Sequence, residues 1–163
     1  MHQLTSLFDA MLDEARVIEL VSVRTALIAM VLDETWPADL VDAVDDLETA
    51  MSLMRRQELA RAVCSARVGA GLGLDAEPTL NELCRASADD DDQQLRSRAA
   101  ALAISTEGLV HVASSTASQL ESLVRAKRRG PHLSVVVPGE EQHERLGELL
   151  DAIVPRSLIA FLR

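Results

Sequence analysis

Aromatic residues are nearly missing from this chain of 163 residues: Phe8, Trp36 and Phe161 are the only three, and there is no tyrosine. Nucleic-acid bases would find almost no ring platforms to stack on. Positive charge is scarce as well, with 16 Lys and Arg against 26 Asp and Glu and a formal net charge of −10. Affinity for nucleic acid comes mainly from cations that neutralise phosphates, so that class of partner is not expected. Lys127 is the sole lysine. Cysteine is limited to Cys64 and Cys84, which form no CxxC pair and are too few for a disulfide framework. Reduced thiols in a cytoplasmic protein are the expectation. Long apolar runs are lacking too: "TALIAMVL" has eight residues, too few to span a bilayer. The opening "MHQLTSLFDAMLDEAR" has neither the basic region nor the apolar run of a signal peptide.

What is present is a chain of one-domain size, 48% apolar, packed with Leu, Ala, Val and Met. That composition suits helices better than sheets. A first helix is predicted from Thr5 to Asp33, with Leu4, Phe8, Met11, Ala15, Ile18, Ser22, Thr25, Ala29 and Leu32 as its seam. Leu7, Leu12, Val21, Ile28 and Val31 widen that seam, and Asp13, Glu14, Arg16 and Arg24 are assigned mostly to other faces. "ETWPADL" breaks the pattern at Pro37. A second helix is predicted from Pro37 to about Ala70, through Leu40, Val44, Leu47, Met51 and Met54, then through the small residues Ala62 and Ala66.

Gly69, Gly71 and Gly73 in "RVGAGLGLDAEPTLNEL" raise the question of a phosphate loop. A dinucleotide fingerprint needs a strand before the glycines and a helix directly after them. Here a helix precedes, acid follows, and no GK[ST] is present. The glycines are therefore a helix stop. Thr79 and Glu82 restart a short helix through a capping box. "SADDDDQQ" lacks the alternating ligands and the glycine of a calcium loop, and it reads as an acidic helix start. A third long helix is predicted from Asp90 to Arg128, with Leu95, Ala99, Leu102, Thr106, Leu109, Val112 or Ala113, Thr116, Leu120 and Leu123 or Val124 as its seam. "RAKRRGP" ends it. "HLSVVVPG" is a short extended piece expected to lie across the helices. One or two short helices follow, with Leu146, Leu149, Leu150 and Ile153 on one face and Leu158, Ile159, Phe161 and Leu162 after Pro155. This apolar tail is expected to dock, because exposed apolar surface lowers solubility. The fold expected is all-α: long antiparallel helices in a bundle or hairpin, a helical domain over residues 1–129 and an extension over 130–163.

Chemistry is hard to find. Glu140 and His143, and Glu107 and His111, are lone pairs, whereas a di-iron bundle needs two ExxH motifs and two further glutamates. No local signature makes Cys64 or Cys84 a nucleophile. No GxSxG, HExxH or phosphate-loop pattern occurs. A non-enzymatic protein with no cofactor and no metal is expected. A metal-binding helical enzyme built on Glu107, His111, Glu140 and His143 is the weakest rival.

One segment, "LETAMSLMRRQELARAVCSARVGAGLGLDAEPTLNEL", resembles the flagellar export chaperones of the FlgN type, in the form of high-GC bacteria. Glu48 stands ten residues before the block Glu58, Leu59, Ala60, Arg61 and Ala62, "ELARA". A Gly73-Leu74 turn, a loop from Asp75 to Pro78 and the restart Thr79-Leu80 with Leu83 follow. The likeness runs from Asp45 to Ala86, with a looser helical match over residues 5 to 125. It implies a small cytoplasmic helical protein that holds hook–filament junction proteins for type III export by binding an amphipathic client helix. Helix-in-groove recognition is the physics expected. The groove is expected on the third long helix, around Leu109, Val112, Leu120, Leu123 and Val124. The "SLIAFLR" end is a candidate to occupy that groove until a client displaces it. The rival class is a regulatory or scaffold bundle with no export role, homodimeric through its tail.

Overall fold

The computed structural model describes residues 2–32, 37–129 and 140–163. Among the described residues there are six helices and no strand: α1 His2–Leu32, α2 Pro37–Gly71, α3 Leu80–Ala86, α4 Asp89–Arg129, α5 Glu140–Asp151 and α6 Arg156–Leu162. The chain is all-α. The extended piece expected at "HLSVVVPG" and the break at residues 33–36 lie outside the described residues.

The helices sort into two compact units. Unit 1 comprises Met1–Glu19, Ser52–Glu107 and Pro155–Arg163, and unit 2 comprises Leu20–Met51 and Gly108–Val154. The expected extension is thus shared out: α5 belongs to unit 2 and α6 to unit 1.

Unit 2 is built on rows that step alternately by three and four residues, the heptad spacing of coiled coils. Val21, Thr25, Ile28 and Leu32 of α1, Leu40, Val44, Leu47 and Met51 of α2, and Leu109, Ala113, Thr116 and Leu120 of α4 are all buried. Leu146, Leu150 and Ile153 join them from α5 and the turn after it. The two threonines satisfy their hydroxyls inside their own helices: Thr25 donates to the Val21 carbonyl at 2.8 Å and Thr116 to the Val112 carbonyl at 2.9 Å. Gln119 of α4 donates to the Ala29 carbonyl of α1 at 2.9 Å. Arg145 of α5 pairs with Asp45 at 2.7 Å and with Glu48, both on α2.

Unit 1 has the same row spacing but different contents. Its α1 row is Leu7, Met11, Glu14 and Ile18. Its α2 row is Met54, then Arg61, Ser65 and Val68, with Glu58 half-buried between them. Leu95, Ala99, Leu102 and Thr106 of α4 and Leu83 and Cys84 of α3 complete the core, with Leu158 and Phe161 of α6. Helices α1 and α2 run antiparallel here, since Glu14 bonds Arg61 while Gln3 lies beside Gly71.

Two seams predicted from sequence are corrected by these rows. On α1 the buried row runs one position away from part of the expected one: Phe8, Ser22 and Ala29 are half-buried, and Glu14 is core. On α2 the continuation beyond Glu58 passes through Arg61 and Ser65, while Ala62 is exposed and Ala66 half-buried. For Glu14 on α1 and for the α2 continuation the cause is shared. Glu14 and Arg61 neutralise each other across two helices, so each holds a position that alone would demand an apolar residue.

The glycine stretch is a helix stop. Gly73 has φ +75°, the Leu74 amide donates to the Gly69 carbonyl at 2.8 Å and the Gly73 amide to the Ala70 carbonyl at 3.3 Å. That is a Schellman closure, which needs a residue tolerant of the left-handed region. Gly69 serves a second purpose: a Cβ there would lie 2.7 Å from Pro78 Cγ, so the loop folds directly onto α2. The capping box at α3 is formed, with the Glu82 carboxylate accepting from the Thr79 amide at 2.8 Å. The Thr79 amide and hydroxyl hold the Glu82 carboxyl below its usual range.

Candidate functional site

The densest set of interacting polar side chains in unit 1 surrounds Arg61. Its position follows from the α2 row: three and four residues from Glu58 and Ser65, it faces the core with them. Arg61 is only 2% exposed and its Nε donates to Glu14 Oε2 at 2.7 Å; Glu14 is 1% exposed. The second carboxylate oxygen, Glu14 Oε1, is buried with no hydrogen-bond partner among the described residues. Burial disfavours the charged form and pushes the Glu14 carboxyl up to about 7, against the opposing pull of the Arg61 charge and hydrogen bond. Glu58 adds a smaller push in the same direction.

Arg61 also reaches α6. Its guanidinium carbon sits 4.5 Å from the Phe161 ring centroid, within cation–π range, and Nη2 donates to Ser157 Oγ at 3.3 Å. Glu58 accepts from the Ser157 hydroxyl and from the Leu158 amide, the latter at 3.2 Å. At the other end of α6, Asn81 of α3 donates to the Arg163 carbonyl at 2.6 Å. A concavity of about 260 Å³ opens beside these residues, lined by Arg61, Ala62, Ser65, Pro78, Ala160 and Phe161 among others.

The motif glutamates therefore act on the C-terminal helices. Glu48 pairs with Arg145 of α5 in unit 2, and Glu58 holds the start of α6 in unit 1. Sequence reasoning quoted Glu48, Glu58 and Arg61 only as letters of a pattern. The available signal for Arg61 was register: stepping by three and four from Met54 lands on Glu58, Arg61, Ser65 and Val68.

The five residues expected to form a client groove all lie on the unit 2 part of α4. Leu109 and Leu120 are core residues; Val112, Leu123 and Val124 are half-buried. The "SLIAFLR" end is the expected occupant of that groove. It forms α6 in unit 1, with Leu158 and Phe161 buried, because Glu58, Arg61 and Asn81 supply its polar partners there. It is α5 that approaches the expected groove: a Cβ at Gly147 would stand 4.0 Å from Leu120 Cδ2.

An exposed apolar row went unrecognised in the sequence. Leu20, Val23, Leu27 and Met30 follow one another on α1 by three and four residues and are 38%, 55%, 42% and 68% exposed. None of the four belongs to the stripe assigned to α1, which followed the buried side alone.

The remaining candidates are scattered. Glu107, His111 and Glu140 are exposed and His143 is half-buried. Among the described residues no three His, Cys, Asp or Glu stand together as a metal site. Cys84 is buried, and burial first, then its hydrogen bond to Asp92, pushes its thiol up to about 11. Such a thiol is protonated at neutral pH and a poor nucleophile. No helix among the described residues is long and apolar enough to cross a membrane. Comparison of the chain with known protein families, with curated proteins and with solved structures finds no match.

Proposed function

We propose that this chain is a non-enzymatic chaperone that binds amphipathic helices of protein clients, and that its clients are hook–filament junction proteins awaiting flagellar type III export. The observation that carries helix binding is the row Leu20, Val23, Leu27 and Met30, exposed at the spacing with which one amphipathic helix reads another. Val112, Leu123 and Val124 add half-buried apolar surface on α4. The export assignment rests on the resemblance of residues 45–86 to FlgN-type chaperones. A cytoplasmic location belongs to the same proposal.

The test is capture of partners from lysate of the chain's own source, read by mass spectrometry, with Val23→Glu/Leu27→Glu as the paired control. Junction proteins recovered by the parent chain and lost by the variant support the proposal. A self-associating chain whose dimer dissociates on the same substitutions, with no export substrate recovered, moves the weight to the scaffold alternative. Circular dichroism of the variant separates loss of binding from loss of fold.

A further inference from the structure

Helix α6 is held as a bound peptide is held. At seven residues it is too short to persist by itself in water. Its N-cap is Pro155, which makes no side-chain cap. Glu58 of α2 does that work from outside, accepting the Leu158 amide and the Ser157 hydroxyl and setting a carboxylate against the positive end of the helix. Arg61 supports the Phe161 ring, Asn81 donates to the Arg163 carbonyl, and Leu158 and Phe161 are buried. Each of these polar partners comes from α2 or α3, and each reads something a foreign helix could also offer: a serine, a free amide, an aromatic ring, a terminal carbonyl.

The seat also borders a concavity that is partly open to solvent. The 260 Å³ concavity is lined on the α6 side by Ser157, Ala160 and Phe161 and on the other by Arg61, Ala62, Ser65 and Pro78. Ala160 offers it one methyl group.

We propose that the α6 seat is a recognition site for a partner's short amphipathic helix of the pattern Ser-Leu-x-Leu/Met-Phe. The serine and the amide after it go to Glu58. The leucine and the aromatic residue take the places of Leu158 and Phe161. The Leu or Met at the position of Ala160 fills the concavity that this chain leaves open. This assignment stands on the seat's geometry in unit 1 and does not depend on the identity of any export client.

The experiment uses the full chain and a labelled synthetic peptide, Arg-Ser-Leu-Ile-Leu-Phe-Leu-Arg, followed by fluorescence anisotropy and by hydrogen exchange of residues 156–163. Saturable binding is expected, at least about tenfold tighter than for the same peptide with Ala at its fifth position, a ratio corresponding to ~1.4 kcal/mol. Exchange in residues 156–163 rises as the peptide displaces them. In the Ala160→Leu chain the segment fills its own seat, so the denaturant midpoint rises and peptide binding weakens about tenfold. Absence of saturable binding overturns the proposal. So does binding that is equal in the Ala160→Leu chain, or that leaves exchange of residues 156–163 unchanged, since either places the peptide on another surface. A lowered midpoint for Ala160→Leu also overturns it, because the space would then not accept the larger side chain. Failure of client capture with success here, or the reverse, separates this site from the export proposal.

Discussion

The two units share a row spacing and differ in what fills it. Among the described residues, the buried polar side chains of unit 2 are Thr25 and Thr116, which bond to carbonyls of their own helices, so its buried space is otherwise left to Leu, Ile, Val, Met and Ala. In unit 1 the core carries a charge pair across the gap, Glu14 on α1 and Arg61 on α2. The pair ties these rows to one register, since a slip of either helix strands a charge. It is weaker as a source of stability, because removing two ions from water offsets most of their attraction. Unit 1 trades apolar contact for specificity of pairing, and it is the unit that carries α6.

Breaking the pair is expected to have the largest effect. Arg61→Ala leaves Glu14 buried without its countercharge and removes the support of Phe161, a loss of about 3–5 kcal/mol by denaturant unfolding. The loss is expected to be smaller at pH 5.5 than at pH 8, where Glu14 is ionised. Replacing both partners, Glu14→Leu with Arg61→Met, is expected to be neutral or to stabilise by about 1–4 kcal/mol. A double variant as unstable as Arg61→Ala would show that the pair is worth more than its desolvation.

The matching cut in unit 2 is Leu109→Ala, expected to lose about 2–5 kcal/mol through the cavity it leaves and to show no pH dependence of that loss. A pH-dependent loss there would contradict the uncharged character of that core, as far as its residues are described.

The third effect is the pH profile of the parent chain. The Glu14 carboxyl is raised from 4.5 to about 7, so between those values the folded chain holds a proton that the unfolded chain has released. Stability is therefore greatest below about pH 4.5 as far as this group is concerned, falls as pH rises through 7, and is level above; the span is about 3 kcal/mol. Glu14→Gln is expected to flatten the profile across that window. An unchanged slope in the variant would assign the titration elsewhere.

Smaller effects sharpen the contrast at the edges. Glu58→Gln weakens the charge-assisted bonds to α6 and is expected to lose about 1–2 kcal/mol, with hydrogen exchange rising in residues 156–163 before any other helix. Gly73→Ala forces an L side chain into the left-handed closure of α2 and is expected to lose about 1 kcal/mol.

The legibility of the chain follows the same division. The α4 seam was readable as far as Leu120 because Leu95, Leu102 and Leu109 mark every second turn, Leu120 follows three turns on, and Ala or Thr fills the rest. The capping box at Thr79 and the glycine stop were readable because both are local chemistry. The α1 and α2 rows in unit 1 were not, because a glutamate at position 14 looks like an interruption until the arginine at position 61 is seen opposite it. Pairing across 47 residues leaves no trace in either helix's own periodicity. The α6 seat was invisible for the same reason: its partners Glu58 and Asn81 lie 99 or 100 and 82 positions along the chain from the groups they hold.

Those separations have a kinetic consequence. A segment whose anchors lie 82 to 100 positions back along the chain closes long loops to reach them, while the turns of α1, α2 and α4 close over four residues. Contacts of such range form late in folding. Helix α6 is therefore expected to be the last element to settle and the first to detach, so that a native-state opening confined to residues 156–163 precedes the global transition. In time-resolved exchange, the chain would complete itself at α6.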